Sequence, residues 1–157
     1  MSDIKQIEAD GNVSDSRVAL VVSRYNNFIV DRLLEACINT LVSAGIKRAN
    51  VPLIKVPGAF EIPVAVKRLA DTDKVDAIIT LGAIIRGETP HFDIIANECA
   101  RGIGSIAIET GIPVIFGVLT VDNVEQAMDR SGEEESNKGS EAAQTAVEMI
   151  SVLRQIT

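Results

Sequence analysis

Gly82-Ala83-Ile84-Ile85-Arg86-Gly87-Glu88-Thr89-Pro90-His91-Phe92-Asp93 is the stretch in which an apolar run gives way to a glycine-hinged loop and then to a helix start carrying the only histidine of the chain. The pattern predicts a strand over 75–83 and a helix from Pro90 to about Thr110. Thr89 is the expected N-cap, and Pro90 is expected at the first helical position, where its missing N–H costs nothing. One strand, one loop and one helix make half of a βαβ unit, so the question is whether the rest of the chain repeats the step.

It does. Arg17 to Ser23 is a continuous apolar run of strand length, the kind that suits a strand covered on both faces. Val30, Leu33, Leu34, Cys37, Ile38, Leu41 and Val42 follow at helical spacing, with Gly45 as the stop. Val51 to Val56 reads as a second strand, broken by Pro57-Gly58, and Glu61 to Ala70 as a helix. Val114 to Thr120 is the fourth strand, 124–130 a short helix, and Ala143, Ala146, Val147, Ile150 and Leu153 mark the last one. Strands alternating with helices give right-handed βαβ units. The expected architecture is flavodoxin-like α/β: one domain over 1–157, with a four-stranded parallel sheet flanked by helices on both faces. Between the last two helices, Glu133-Glu134-Glu135 reads as a solvated turn.

The chain has 157 residues, 46% of them apolar and only 3% aromatic, so its core must be packed from aliphatic side chains. A mean hydropathy of +0.22 beside a net charge of -7 implies apolar surface that a small monomer would leave in water. Burial between subunits is the natural outlet. The helix from Pro90, apolar nearly all round, points the same way. The acidic balance and the lack of a basic stripe argue against nucleic-acid or anionic-membrane partners. Cys37 and Cys99 have neither CxxC spacing nor a histidine cluster around them, and read as buried reduced thiols of a cytoplasmic protein. No signal-peptide core and no run of about 18 apolar residues is present, so neither export by a cleaved signal nor a membrane span is expected.

In an open parallel sheet, ligands bind beyond the carboxyl ends of the strands, where helix N-termini offer amide donors to anions. Those ends carry Arg24-Tyr25-Asn26, then Pro57-Gly58-Ala59-Phe60-Glu61, then the His91 segment. Tyr25 and Phe60 are candidate shelves for a planar ligand, although a loop ring folded onto the core is as common. His91 can be a proton carrier near neutral pH or an ordinary solvent-facing histidine. The chain has no GxGxxG after the first strand, no P-loop, no serine elbow and no metal-ligand cluster. The acidic residues of a phosphoacceptor receiver are also missing.

Taken together, Arg24-Tyr25-Asn26, the run from Val56 to Pro63, Ile85 to Phe92, Pro113 to Thr120 and Asn137-Lys138-Gly139 resemble the lumazine synthase family almost end to end. The resemblance implies a cofactor-free transferase of riboflavin biosynthesis. Such an enzyme condenses 5-amino-6-(D-ribitylamino)uracil with L-3,4-dihydroxy-2-butanone 4-phosphate to 6,7-dimethyl-8-ribityllumazine, phosphate and water. It implies His91 as the acid/base, Glu88 and Thr89 at the phosphate, with the Glu88 carboxylate turned away, and Arg130 as the phosphate clamp. Tyr25 would stack on the pyrimidine. Ala59, Phe60 and Glu61 would meet the ribityl chain and ring, and the backbone of Ala83, Ile84 and Ile85 the uracil edge. Lys138 and Phe116 fall on binding positions, with Phe116 reaching in from a neighbouring subunit. A non-catalytic flavin or lumazine carrier, or a shell protein, would use the same pocket without turnover.

Two departures stand out. The aromatic at Tyr25 is usually Phe or Trp, and the turn that often reads GTKAGNKG is here Gly132-Glu133-Glu134-Glu135-Ser136-Asn137-Lys138-Gly139, which adds negative charge near Arg130. The resemblance implies a homo-pentamer, with the leader 1–13 adding a strand to the adjacent subunit, and an association with riboflavin synthase. The turn carries no extra residues, which favours an icosahedral shell of sixty subunits; its glutamates oppose the close approach of pentamers.

Overall fold

Apolar runs that the sequence marks as strands become the buried middle layer. The computed structural model describes residues 3–156, the side chain of Glu134 excepted. Met1 and Ser2 of the expected leader, Thr157 at the end of the expected domain, and the charge of Glu134 therefore lie outside the described residues. The strands are β1 (Val18–Ser23), β2 (Leu53–Val56), β3 (Ala77–Ile85) and β4 (Val114–Val121). The helices are α1 (Asn27–Ser43), α2 (Ile62–Asp71), α3 (His91–Thr110), α4 (Val124–Arg130) and α5 (Lys138–Gln155). All pairings are parallel and the strand order is β2-β1-β3-β4. This is the expected three-layer α/β sandwich.

Right-handed crossovers explain the layers. The step from β1 to β2 runs one way across the sheet, and the steps from β2 to β3 to β4 run the other way, so α1 must lie on one face and α2 and α3 on the opposite one. Side-chain alternation follows. Val18, Leu20 and Val22 join the core under α1 and α5, whereas Ala19 and Val21 join the core under α2 and α3. Each fully buried aliphatic contributes roughly 1.5–3 kcal/mol. Every strand residue of β1 is buried, whereas β2, at the edge, leaves Leu53 and Lys55 exposed. Its predicted start at Val51 is two residues early, because an edge strand pairs on one side only.

α3 begins one residue later than expected. Pro90, not Thr89, is the N-cap, and its carbonyl accepts from the N–H groups of Asp93 at 3.1 Å and Ile94 at 3.3 Å. Thr89 still assists, its hydroxyl accepting from the His91 N–H at 3.4 Å. α3 buries Phe92, Cys99, Ile103 and Ile106 against the sheet and α2, but leaves Ile94 56% and Ile108 87% exposed. Both cysteines are free and buried; burial pushes the Cys37 thiol up to about 12 and the Cys99 thiol up to about 11.

α5 packs against α1 through small residues. Gly139 sits where a Cβ would lie 2.0 Å from the Leu33 carbonyl oxygen, and the hydroxyls of Thr40 and Ser140 meet at 2.8 Å. Asn137, buried, caps α5 by accepting from the N–H groups of Gly139 at 2.8 Å and Ser140 at 3.3 Å.

The leader is moored on the end of α5. Asp10 accepts from the Asn12 N–H at 3.0 Å and from the Ser151 hydroxyl at 2.7 Å, and these bonds, in that order, hold its carboxyl below the usual aspartate range. A lowered folded-state value means that the stabilisation is complete above the ordinary aspartate value of about 3.9 and is lost as pH falls through the lower folded value. Asp10→Asn is therefore expected to destabilise the chain at pH 6, with the difference from wild type shrinking towards zero as pH drops below about 4. Urea melts of both proteins across that range check it; a difference independent of pH would refute it.

Candidate active site

The functional side chains gather where the chain changes direction. β1 lies beside β3, and the segments leaving them diverge to opposite faces, which opens a crevice at their carboxyl ends. The crevice is a cleft of about 710 Å³, a size suited to a small organic ligand. Tyr25 enters it from β1, Ala59, Phe60 and Glu61 from a 3-10 turn after β2, and Ala83, Ile84, Ile85, Thr89 and His91 from β3 and the start of α3.

Backbone bonds fix these loops. The Arg24 N–H donates to Val56 O at 2.9 Å and the Tyr25 N–H to Pro57 O at 3.1 Å, continuing the β1–β2 ladder past the strands. Asn26 takes the left-handed conformation at φ 60°, and its Nδ2 donates to the Ala83 carbonyl at 2.8 Å. The loop after β1 is thus tied to the end of β3. Tyr25 is left 74% exposed and Phe60 55%, and both line the cleft, so neither ring is folded onto the core.

Phe116, Arg130 and Lys138 lie elsewhere. They line a second concavity, of about 450 Å³, that runs along the free edge of β4 and the start of α5. Among the described residues none lines both. Here the Arg130 guanidinium donates to Gln126 O at 3.1 Å, and the Lys138 ammonium meets the Glu141 carboxylate at 2.9 Å. Two cations against one carboxylate leave this concavity able to take an anion. Glu88 lines neither cavity and is exposed.

Sequence reading gave no role to several walls of the cleft: Ser23, Asn26, Pro57, Gly58, Gly87, Phe92 and Ile95. Phe92 was detectable as the neighbour of His91, Asn26 as a turn residue that tolerates positive φ, and Pro57, Gly58 and Gly87 as loop residues past strand ends; Ser23 and Ile95 needed the fold. Thr145 and Glu141 of the second concavity were hidden in the α5 helical pattern. Among the described residues no group of three or more His, Cys, Asp or Glu side chains could hold a metal ion, and no helix is long and apolar enough to cross a membrane.

The sequence profile of the 6,7-dimethyl-8-ribityllumazine synthase family matches residues 15–154. A protein of Chlorobium phaeovibrioides named 6,7-dimethyl-8-ribityllumazine synthase is 50% identical over 151 residues, covering 96% of this chain and 97% of that protein. One of the same name from Chlorobium luteolum is 49% identical over 153 residues, covering 98% and 99%. The parallel α/β sheet, the cleft at the ends of β1 and β3 and the match across nearly the whole chain lead to one conclusion: the chain belongs to the 6,7-dimethyl-8-ribityllumazine synthase family.

Proposed function

We propose that this chain condenses 5-amino-6-(D-ribitylamino)uracil with L-3,4-dihydroxy-2-butanone 4-phosphate to 6,7-dimethyl-8-ribityllumazine, phosphate and water, in the cytoplasm and without a cofactor. The observation that carries the reading is the cleft itself, where two exposed aromatic side chains, a histidine and a helix N-terminus converge. Tyr25 and Phe60 suit the flat pyrimidine and its ribityl arm. The primary amine attacks the ketone and the imine forms with loss of one water, phosphate is eliminated to leave an enol that returns to a carbonyl, and the ribitylamino nitrogen attacks that carbonyl and closes the ring with loss of a second water. Each step moves a proton, and we assign its relay to His91, which lines the cleft.

The phosphate requires more positive charge than the cleft of one copy holds. Thr89 and the start of α3 supply amide and hydroxyl donors, whereas Arg130 and Lys138 sit in the other concavity. We infer a composite site, in which the β4-edge concavity of one copy closes over the His91 cleft of the next and Phe116 enters from the neighbour. Such a head-to-tail contact repeats into a ring, in keeping with a pentamer. Exposed Ile94 and Ile108 on α3 supply apolar surface for it, and the leader, with Ile4 58% exposed, would add a strand at a neighbouring sheet edge such as that of β2. The sixty-subunit shell and association with riboflavin synthase stand beyond this as further assembly levels of the same reading.

Mixing the protein with both substrates is expected to generate the fluorescent lumazine. Binding without turnover would instead leave a flavin or lumazine carrier. Arg130→Ala is expected to raise KM for the phosphorylated ketone on the order of tenfold or more, the loss of about 1.5–3 kcal/mol from a charged hydrogen bond, with little change for the pyrimidine. Equal rises in both KM values would count against the clamp.

A further inference from the structure

Arg86 is the first residue beyond β3, and it lines neither concavity. Its position is nevertheless the most connected in the loop. Its N–H donates to Val121 O at 2.8 Å, adding one rung to the β3–β4 ladder. Its Nε donates to Asp122 Oδ1 at 3.1 Å, and Nη1 reaches Asp93 Oδ2 at 3.4 Å. The guanidinium carbon stands 4.2 Å from the centroid of the Phe92 ring, the residue after His91.

The two carboxylates belong to different halves of the composite site. Asp93 lies in the first turn of α3, two residues after His91. Asp122 follows β4, and its N–H donates to the Gln126 side chain at 2.8 Å; the Gln126 carbonyl in turn accepts from Arg130 at 3.1 Å. Only a planar fork can hold two carboxylates and a ring face together, which a lysine could not reproduce. As an exposed ion-pair pivot Arg86 adds little to stability, so its placement calls for another account.

We propose that Arg86 is a positioning residue that fixes, through Asp93 and Asp122, both the helix start bearing His91 and the α4 segment leading to Arg130. This rests on the functional reading above. Substrate contact is not part of the role; Arg86 holds the two groups that make it.

The test is a kinetic cycle on the full-length protein, with kcat and both KM values measured by lumazine fluorescence. Arg86→Gln is expected to lower kcat on the order of tenfold, a fraction of what a displacement of about 1 Å costs at a positioned group. In a His91→Ala background the same change is expected to cost no more than about twofold, because its effect travels through His91. Asp122→Ala, which leaves the His91 side intact, is expected to raise KM for the phosphorylated ketone several-fold while kcat stays within about twofold. A wild-type kcat for Arg86→Gln, or an equal loss on both backgrounds, overturns the role. Should Arg86→Gln fail to fold, Asp122→Ala decides, an unchanged KM overturning it. A His91→Ala protein with wild-type turnover would sink the site reading and this role with it; a slow His91→Ala beside a normal Arg86→Gln sinks this role alone.

Discussion

His91→Ala is expected to lower kcat about 10²-fold, the usual contribution of a positioned general acid/base, without loss of fold, since the residue is exposed at the first position of α3. The residual rate reflects the intrinsic readiness of amines to condense with ketones. Turnover by this variant equal to wild type between pH 6 and 8 would remove His91 from the mechanism. The split between the two concavities makes the same variant more informative in mixtures. His91→Ala chains retain Arg130, and Arg130→Ala chains retain His91. If the site is shared, an equal mixture dissociated and reassembled together regains about a quarter of its sites, one factor of a half for each contributing face. A site contained within one chain regains none, and steady-state rates of the mixture against the two separate variants decide the matter.

Gly139→Ala is expected to be the most damaging single methyl in the molecule. Its Cβ would fall 2.0 Å from Leu33 O and 2.8 Å from Leu33 Cα, so the clash is with the α1 backbone and not with a side chain that can swing aside. Relief requires α5 to lift from α1, opening the core beneath Leu33, Cys37, Ala143 and Ala146. Overpacking typically costs about 1–3 kcal/mol, and a clash with backbone belongs at the upper end, about 3 kcal/mol, a large share of the ~5–15 kcal/mol that holds a domain together. A fall in Tm of roughly 6–12 °C should follow. A melt within about 2 °C of wild type would mean that the two helices are less tightly seated than the contact implies.

The fold was legible because each strand of the sheet interior is an unbroken apolar run and each covering helix has its own periodicity, as in Val18–Ser23 followed by Leu33, Cys37 and Leu41. Boundaries were less so. Pro90 fits the first helical position as well as the cap, and only the bonds its carbonyl accepts tell the two apart. Within the site, residues past strand ends announced themselves by type: a lone histidine, two aromatics, a glycine hinge. What sequence could not separate was which of them share a cavity on one chain. Tyr25, two residues past the end of a strand, and Arg130, the last residue of a helix, both stand at the end of an element, yet one faces the switch point and the other the free sheet edge. That distinction depends on strand order, which no local pattern encodes. Arg86 was passed over for a related reason, since its partners lie 7 and 36 positions along the chain.

The two buried thiols furnish the protein with a pair of internal clocks. Cys37 belongs to the core on the α1 and α5 side of the sheet, Cys99 to the core on the α2 and α3 side. Their raised values, about 12 and about 11, leave almost no thiolate for an alkylating reagent while the layers stay closed. Label can therefore accumulate only as each layer opens, and its rate at each cysteine reports the opening free energy of that side alone. Unequal rates would identify which wall of the sandwich breathes first, without any cysteine having to be engineered in.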